Sequence, residues 1–332
     1  MILITIKDIA LKAGVSTAAV SRYFNNGYVS EDKRKAIKKV VDETGFLPSQ
    51  HARTLRTRKT GLIGVILPRI SSNSISKMVS GILKVTDREE YKILLANTLN
   101  EPERELEYLK IFNEKQVDGV ILFGTILTDK HSEFISQMKI PIVVVGQNIK
   151  GVNSVYHDEY HVTYDLTKLL LSKGCKNMAY IGVTFKDKAV GLERYKGYRD
   201  ALKDEGLEEF SKRKQLSGFD MMDGYNSMKK IIKNYPDVDG VVAATDTIGV
   251  GAIKYLEENN YDIPNQIMIT GVGNSNLGNV TSPSLTTARY YFEESGVKAA
   301  EIIIKHIRNQ KSAIEQVMIG YEILEKGSTV KS

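Results

Sequence analysis

The sequence predicts an α/β protein made of three parts: a head of three short helices, a hinge helix, and a body of two doubly wound parallel α/β subdomains. Three observations lead to this prediction. Apolar residues recur at helical spacing up to residue 45, positive charge is concentrated in the first 60 residues, and apolar strand-like runs alternate with amphipathic segments from residue 61 onward. The head and the body therefore belong to different structural classes.

Composition limits what the protein can be. Its 332 residues are 42% hydrophobic and 26% charged, enough for two or three domains with sizeable cores. No run approaches about 18 consecutive apolar residues, and the opening MILITIKDIALKAG lacks the basic leader and cleavage site of a signal peptide. We therefore expect a cytoplasmic protein with no membrane partner. The single cysteine, Cys175, excludes a disulfide framework within the chain and a cysteine cluster for zinc.

The charge of the chain is unevenly distributed. Residues 1–60 carry twelve Lys and Arg residues against five Asp and Glu residues, a net charge of +7, whereas the other 272 residues carry −1. Clustered cations bind phosphates because the condensed counterions of a nucleic acid are released. The basic segment therefore indicates a nucleic-acid-binding module, with a merely solvated basic face as the alternative.

Two short helices are predicted to meet at Gly14 in the stretch AGVSTAAVSRYFNN. Gly14 is placed to end the first helix in a left-handed conformation, and Ser16 is placed to begin a second helix that runs to about Asn25. The inner face of the second helix is Ala19, Val20 and Phe24, and its outer face is Thr17, Ala18, Ser21 and Arg22. This is helix-turn-helix geometry, in which the second helix presents Arg22 to a guanine and Ser21 to a phosphate in the major groove.

A third helix is predicted to follow Ser30, which would cap it, and to end at Gly45. Its inward residues are Ala36, Ile37, Val40 and Val41. Three short helices make a compact head of about fifty residues. An ordinary helical hairpin is the alternative interpretation of the segment.

From residue 61 the pattern changes to apolar strands separated by amphipathic segments. The predicted strands are residues 62–67, 91–97, 118–124, 141–146, 178–182, 239–244 and 267–272. Continuous apolar strands that alternate with helices indicate parallel sheets covered on both faces. Seven strands are too many for one small unit, so we infer two subdomains.

Parallel open sheets bind ligands at the carboxyl ends of their strands, and two such units facing each other form a crevice. The loop of residues 68–74 follows the first strand and carries hydroxyl and amide groups suited to sugar hydroxyls, including Ser71 and Asn73. Phe185 lies shortly after the strand at residues 178–182. The loop chemistry and the lack of extra positive charge favour a neutral sugar as the ligand.

Other apparent motifs do not indicate chemistry. His157 and His161 have helical spacing, but a zinc protease motif requires Glu directly after the first histidine. This chain has Asp158 at that position, and Asp158 is better suited to cap the following helix. The string GVGNSNLG has the wrong glycine spacing and the wrong position for a dinucleotide site. No nucleophile with a base is recognisable, so we expect no metal, no cofactor and no enzymatic activity.

The head of the LacI/GalR family of bacterial transcription regulators resembles residues 5–25 of this chain, TIKDIALKAGVSTAAVSRYFN. The similarity continues through Gly45, Phe46 and Pro48 into ARTLRTRKTGLIGVILP, and it covers essentially the whole chain. The resemblance implies a periplasmic-binding-protein-like body and a homodimer or tetramer. The DNA partner it implies is a pseudo-palindromic double-stranded operator. The regulated operon would be one for the use of a sugar, such as a sucrose-type operon. The implied domains are 1–48 (head), 49–60 (hinge) and 61–332 (body). The body would divide into an N-subdomain of about 61–157 and 290–318 and a C-subdomain of about 158–289.

The resemblance also implies the DNA-binding residues. In the head they are Thr5, Ser16, Thr17, Ala18, Ser21, Arg22, Asn25 and Tyr28. In the hinge, Ser49 would cap a short helix, Ala52 would allow close approach, and Leu55 would match the apolar wedge that opens a base step in the minor groove.

For the effector, Arg194 matches the family's crevice arginine in the pattern R-x-x-G, Phe219 matches an aromatic ring that stacks on the ligand, and Thr245 with Asp246 follows the next strand. Two positions depart from the family pattern. Gly146 and the run Gly271-Val272-Gly273-Asn274 lack carboxylates that relatives carry, so Asn274 or Asn276 would have to supply a neutral substitute. The full set of expected effector-binding residues is Ser71, Asn73, Phe185, Arg194, Phe219, Thr245, Asp246 and Asn274.

Three interpretations of function remain open at this point. The first is a dimeric regulator that binds DNA under control of a small-molecule effector, and in particular a repressor. The second is a sugar-binding protein or sugar-processing enzyme on the same α/β body. The third is a basic RNA-binding protein, although the helix-turn-helix pattern indicates duplex DNA.

Overall fold

The computed structural model describes residues 4–25, 27–46, 59–309 and 312–330. The chain divides into two compact units, residues 1–60 and residues 61–332. The predicted hinge helix, with Ser49, Ala52 and Leu55, lies outside the described residues and stays a prediction. No helix in the described ranges is long and apolar enough to cross a lipid bilayer.

The first unit contains the three predicted helices. They are α1 (Ile6–Lys12), α2 (Thr17–Phe24) and α3 (Glu31–Thr44). Their apolar faces enclose a small core of Ile9, Ala10, Val20, Ile37, Val40 and Phe46. The ring of Phe24 meets that of Phe46 edge-on at 5.7 Å between centroids, so the end of α2 is anchored to the segment that follows α3.

The helix ends of the head follow the predicted chemistry with one exception. Gly14 has a φ of +64° between α1 and α2, and Gly45 has a φ of +62° after α3, a conformation that glycine adopts without a Cβ penalty. The Ser16 hydroxyl accepts a hydrogen bond from the Ala19 N–H at 3.2 Å. Ser30 occupies the cap position of α3, but its side chain makes no capping hydrogen bond, so that part of the prediction was wrong.

The body contains two six-stranded sheets. The strands of the first sheet, in spatial order, are β11 (Gln316–Ile319), β5 (Asn153–His157), β4 (Ile142–Val145), β3 (Gly119–Phe123), β1 (Leu62–Leu67) and β2 (Lys92–Asn97). Those of the second sheet are β12 (Tyr321–Leu324), β10 (Thr286–Tyr290), β9 (Met268–Val272), β8 (Gly240–Ala243), β6 (Met178–Gly182) and β7 (Lys214–Leu216). Neighbouring strands are parallel except β12, which runs antiparallel to β10.

Helices cover both sheets. In chain order they are α4 (Asn73–Arg88), α5 (Pro102–Ile111), α6 (Asp129–Ser136), α7 (Glu159–Ser172), α8 (Arg194–Asp204), α9 (Met221–Asn234), α10 (Asp246–Glu258), α11 (Asn276–Val280) and α12 (Phe292–Arg308). A π-helical turn, Phe112–Gln116, extends α5, and a second one, Lys188–Glu193, precedes α8. Separate apolar clusters lie against the first sheet and within the second, which is the layered arrangement that the alternating pattern predicts.

The two subdomains share the chain through repeated crossings. The chain leaves the first sheet after His157, returns to it in α12 after Tyr290, and leaves it again between Ile319 and Tyr321. The last crossing, which places β12 in the second sheet, was not predicted. Strands β5, β7, β10, β11 and β12 were missed because they are short or carry polar residues, so they lack the continuous apolar run used for detection.

Helices α4 and α12 pack backbone against backbone. A Cβ added at Gly81 of α4 would lie 2.0 Å from the Glu293 carbonyl oxygen, and one added at Gly296 of α12 would lie 1.9 Å from the Met78 carbonyl oxygen. Real Cβ atoms do not approach oxygen this closely, so both helices need glycine where they cross. This contact joins the segment after β1 to the segment that returns from the second sheet.

We expect Gly296→Ala to destabilise the body by about 1–3 kcal/mol, because the added methyl group forces α12 away from α4. The measurement is the midpoint of urea unfolding. The control is Gly320→Ala, because a Cβ at Gly320 has nothing within 4 Å. Equal midpoints for the two variants would contradict the close-packing argument.

Candidate functional site

The exposed face of α2 carries most of the predicted DNA-binding side chains. Thr17, Ala18, Arg22 and Asn25 are exposed, and Ser21 is partly buried. These positions recur at one- and four-residue intervals, which places them on one side of the helix. The Arg22 Nε donates to the Ala18 carbonyl oxygen at 3.3 Å, which leaves the rest of the guanidinium able to reach outward.

Three further predicted residues lie near the ends of α1 and α2. The Thr5 hydroxyl donates to the Asp8 carboxylate at 2.7 Å and accepts from the Asp8 N–H at 3.4 Å, so Thr5 caps α1. Ser16 caps α2. Tyr28 lies beyond α2 and is 85% exposed. The arrangement offers helix N-termini and an exposed ring on the surface of the head, as a helix-turn-helix requires, and the DNA contacts themselves stay predictions.

In the second unit a cleft of about 210 Å³ opens between the two sheets. It is many times larger than the roughly 10–15 Å³ that a single water needs. Its walls are the loops at the carboxyl ends of strands from both sheets, which is where parallel open sheets bind ligands. Residues from these loops include Arg69, Thr125, Gln147, Asp187, Phe219, Asp246 and Gly273.

The structure brings five of the predicted effector residues to this cleft and leaves three out. The five are Asn73, Arg194, Phe219, Thr245 and Asp246. Ser71 is exposed and does not line the cleft, although its neighbours Ser72 and Ser74 do.

Phe185 and Asn274 also lie outside the lining. The ring of Phe185 stacks on Tyr195 at 5.0 Å between centroids. The Asn274 side-chain oxygen accepts from the Lys326 ammonium at 2.9 Å. Both side chains are therefore engaged with other parts of the protein, which the sequence pattern did not indicate.

Arg194 forms a buried ion pair in the floor of the cleft. Its Nε donates to the Glu159 Oε2 at 2.5 Å, its Nη1 donates to the Ala244 carbonyl oxygen, and the Tyr290 hydroxyl donates to the same Glu159 oxygen at 2.8 Å. Burial opposes the charge on Glu159, but the neighbouring guanidinium outweighs this effect, so the pKa of Glu159 lies below its ordinary value. Arg194 is therefore held with a fixed orientation.

A glycine makes this pair possible. A Cβ at Gly197 of α8 would lie 2.1 Å from the Tyr160 carbonyl oxygen of α7, so the two helices touch through their backbones. This contact brings Arg194, at the start of α8, opposite Glu159, at the start of α7. Sequence reasoning missed Glu159 because its segment was considered only as a metal motif. The available signal was the position of Glu159 directly after Asp158, at the start of a predicted helix.

Asp187 is a buried carboxylate of the cleft with a raised pKa. It is 3% exposed, and its Oδ1 accepts from the Gln147 side-chain amide at 3.0 Å and from the Val190 N–H at 3.1 Å. Burial raises the pKa of Asp187 to about 6, and the nearby Glu159 charge adds to the increase. Sequence reasoning also missed this residue, which lies in a loop with no strand or helix pattern to place it.

Asp246 and His157 have mainly supporting roles. The Asp246 carboxylate accepts from the Thr287 hydroxyl and from the Ser275 N–H, both at 2.5 Å, so it holds the loop after β9. Burial lowers the pKa of His157 to about 4, and one ring nitrogen lies 3.0 Å from the Ser295 hydroxyl, so the ring is neutral at pH 7.

Polar contacts join the two subdomains across the cleft. Arg69 forms an ion pair with Asp220 at 2.8 Å, and its guanidinium lies over the ring of Phe219 at 5.5 Å. The Gln147 side-chain amide, in the loop after β4, donates to the carboxylate of Asp187 in the other subdomain. The ring that was predicted to stack on a ligand is thus partly covered by Arg69.

The two positions that were expected to lack carboxylates lie in the lining of the cleft, beside three carboxylates from other positions. Gly146 and Gly273 do leave two positions without them, but Glu159, Asp187 and Asp246 all line the cleft. Within the described residues, no group of three or more His, Cys, Asp or Glu side chains is arranged to hold a metal ion. The Asp158 side chain accepts from the His161 N–H at 3.1 Å and so caps α7.

Comparison with known proteins identifies both units. Residues 5–49 match the family described as bacterial regulatory proteins, lacI family, and residues 60–326 match the periplasmic binding proteins and sugar binding domain of the LacI family. The chain is 32% identical to the HTH-type transcriptional regulator RegA of Clostridium saccharobutylicum, over 98% of this chain and 99% of the relative. It is also 32% identical to the sucrose operon repressor of Staphylococcus xylosus, over 95% and 96%.

Among solved structures, the lac repressor dimer bound to operator and an anti-inducer has the same fold. Its TM-score is 0.88 at 18% identity, over 99% of both chains. At this level of identity the similarity concerns the fold alone.

Asp187 should cost the protein stability at neutral pH. Its raised pKa means that folding opposes ionisation, so the cost is absent below pH 3.8, where the group is protonated in both states, and is complete above pH 6. We expect Asp187→Asn, which keeps the oxygen that faces Gln147, to raise the free energy of unfolding at pH 7.5 by up to about 3 kcal/mol.

The gain should shrink toward zero as the pH falls to 4, as measured by urea unfolding across this range. Asp237→Asn is the control, because that side chain is 51% exposed and pairs with Arg213 at the surface. It should change stability by less than about 1 kcal/mol. If the gain in the free energy of unfolding of Asp187→Asn does not depend on pH, burial does not destabilise the ionised carboxylate of Asp187.

Proposed function

Since this chain belongs to the LacI family of bacterial regulatory proteins, we propose that it is a homodimeric repressor. The repressor binds a pseudo-palindromic operator through the outer face of α2. Its affinity for the operator changes when a sugar binds in the cleft of the body. The head and the sugar-binding body match the family over nearly the whole chain. The observation that supports the proposal most strongly is their combination. A sugar-binding protein or enzyme has no need for a helix-turn-helix, and an RNA-binding protein has no need for the cleft.

The chemistry of the cleft supports a sugar as the effector. A sugar ring has C–H groups on its faces and hydroxyl groups around its rim, so an aromatic plate and fixed hydrogen-bonding groups bind it together. Phe219 supplies the aromatic face and Arg194 a rigid donor, since Glu159 and Ala244 occupy only its Nε and Nη1. The sucrose operon repressor among the relatives makes sucrose the first sugar to test.

The exposed apolar residues of the body support a dimer. β2 lies at an edge of the first sheet, and its Leu94 and Leu95 are 45% and 42% exposed. A second copy of the chain would remove these side chains from water, and a two-fold symmetric protein matches a pseudo-palindromic site. We also propose a cytoplasmic location and no enzymatic activity, since a DNA-binding regulator of this family acts on DNA and needs no catalysis.

We expect Arg22→Ala to lower the affinity for a specific duplex by about 1–3 kcal/mol, because the guanidinium no longer reads a base edge. The probe is the duplex that the wild-type protein selects from a random-sequence pool, compared with a scrambled duplex of equal length in a fluorescence anisotropy titration. Lys39→Ala is the control, since it removes one exposed cation of α3 and not of α2. If Arg22→Ala discriminates between the selected and the scrambled duplex as well as wild type does, the major-groove assignment is wrong.

Arg194→Lys should weaken sugar binding by about ten- to a hundred-fold, because lysine keeps the charge beside Glu159 but loses the planar set of donors. Calorimetric titration with sucrose, cellobiose, trehalose, ribose and glucose gives the affinity, and operator binding should persist. Arg213→Lys is the matched control, because Arg213 pairs with Asp237 at the surface. Equal sugar affinity in both variants would place the effector elsewhere.

A further inference from the structure

We propose that Asp187 determines the class of ligand that the cleft accepts: its carboxylate binds a hydroxyl group of an uncharged sugar and excludes sugars that carry a phosphate. This inference rests on the proposed function, and it adds the residue that selects between the two classes. It comes from the balance of charges in the cleft, from the free oxygen of Asp187, and from the way Gln147 holds that residue.

The charged side chains of the cleft leave two carboxylates without a cationic partner in hydrogen-bond contact. Among the described lining residues the cations are Arg69 and Arg194, and each forms an ion pair, with Asp220 and Glu159 respectively. The remaining lining carboxylates are Asp187 and Asp246. A phosphate ester would therefore meet two lining arginines that are already paired and two lining carboxylates that are not.

The two remaining carboxylates are not equivalent. Both oxygens of Asp246 accept hydrogen bonds from the protein, one from Thr287 and one from Ser275. In Asp187 both hydrogen bonds, from Gln147 and from Val190, go to Oδ1. Oδ2 has no partner among the described residues, and it is not one of the buried unpaired atoms, so it faces the open space of the cleft. An ionised oxygen in this position can only accept, and the hydroxyl groups on the rim of a sugar ring can donate to it.

The position of the Asp187 charge is fixed from the opposite subdomain. The Gln147 amide donates to Asp187 and also to the Thr125 carbonyl oxygen at 2.9 Å, so it links the loops after β3 and β4 to the loop after β6. A carboxylate tied in this way cannot swing out of the path of an incoming anion. Burial raises its pKa to about 6, which still leaves it mainly ionised at neutral pH.

The energetics favour a hydroxyl donor over an empty cleft. A hydrogen bond from a ligand hydroxyl to a charged acceptor is among the stronger ones. A ligand hydroxyl that donates to Oδ2 would offset part of the desolvation cost that raises the pKa of Asp187. A phosphate would instead add like charge close to the Asp187 carboxylate, and like charges repel more strongly beside a protein than in bulk water.

The test uses the full-length protein and two matched pairs of probes, sucrose with sucrose 6-phosphate and ribose with ribose 5-phosphate. Calorimetric titration at pH 7.5 gives the ratio of the dissociation constant of each phosphate to that of its parent sugar. For wild type we expect the parent of at least one pair to bind, with a ratio above about a hundred. In Asp187→Asn the parent should bind about ten-fold more weakly or worse and the ratio should fall at least ten-fold, because the amide removes the negative charge and supplies a donor.

Asp237→Asn is the control, since it removes the same charge at the surface of the same subdomain, and it should leave both the affinity and the ratio unchanged within two-fold. A sugar that binds wild type and Asp187→Asn with the same ratio would overturn the role of Asp187 while leaving the sugar effector in place. Tighter binding of either phosphate than of its parent by wild type would overturn the exclusion. If neither the four probes nor cellobiose, trehalose and glucose bind wild type although it selects a specific duplex, the sugar effector fails, and the inference fails with it.

Discussion

The buried ion pair between Arg194 and Glu159 is the interaction on which the cleft depends. It joins the first residues of α7 and α8, and through Ala244 and Tyr290 it also reaches the ends of β8 and β10. Taking two charges out of water gains little net stability, but loss of one partner leaves an uncompensated buried charge and typically costs about 3–5 kcal/mol. The pair therefore serves to fix the position of a guanidinium at the floor of the cleft more than to stabilise the fold.

Glycine-mediated helix contacts supply the geometry that this pair needs. Gly197 lets α8 touch α7, as Gly81 and Gly296 let α4 touch α12. Such contacts are rigid because neither backbone can move closer or farther without loss of packing. These glycine contacts lie within the subdomains, and short crossing segments join the two subdomains.

Burial raises the pKa of two carboxylates of the cleft, those of Asp187 and Asp246, so folding opposes their ionisation. Asp246 accepts hydrogen bonds from Thr287 and Ser275. Perturbed carboxylates are concentrated at functional sites, because burial and neighbouring charges shift pKa values there. The cleft therefore combines a fixed donor, a free acceptor and an aromatic face.

Local patterns were enough to predict the three head helices, Gly14 and Gly45 at their ends, the long apolar strands, and the α/β class of the body, since each follows from the spacing of neighbouring residues. The family resemblance, carried by the head motif, also placed Arg194 and Phe219 in the cleft. Only the tertiary structure brought Glu159 and Asp187 to the same cleft, turned Phe185 and Asn274 away from it, and put β12 in the second sheet. Those outcomes depend on contacts between residues far apart in the chain, and hydrophobic periodicity does not record which distant side chain satisfies a buried charge.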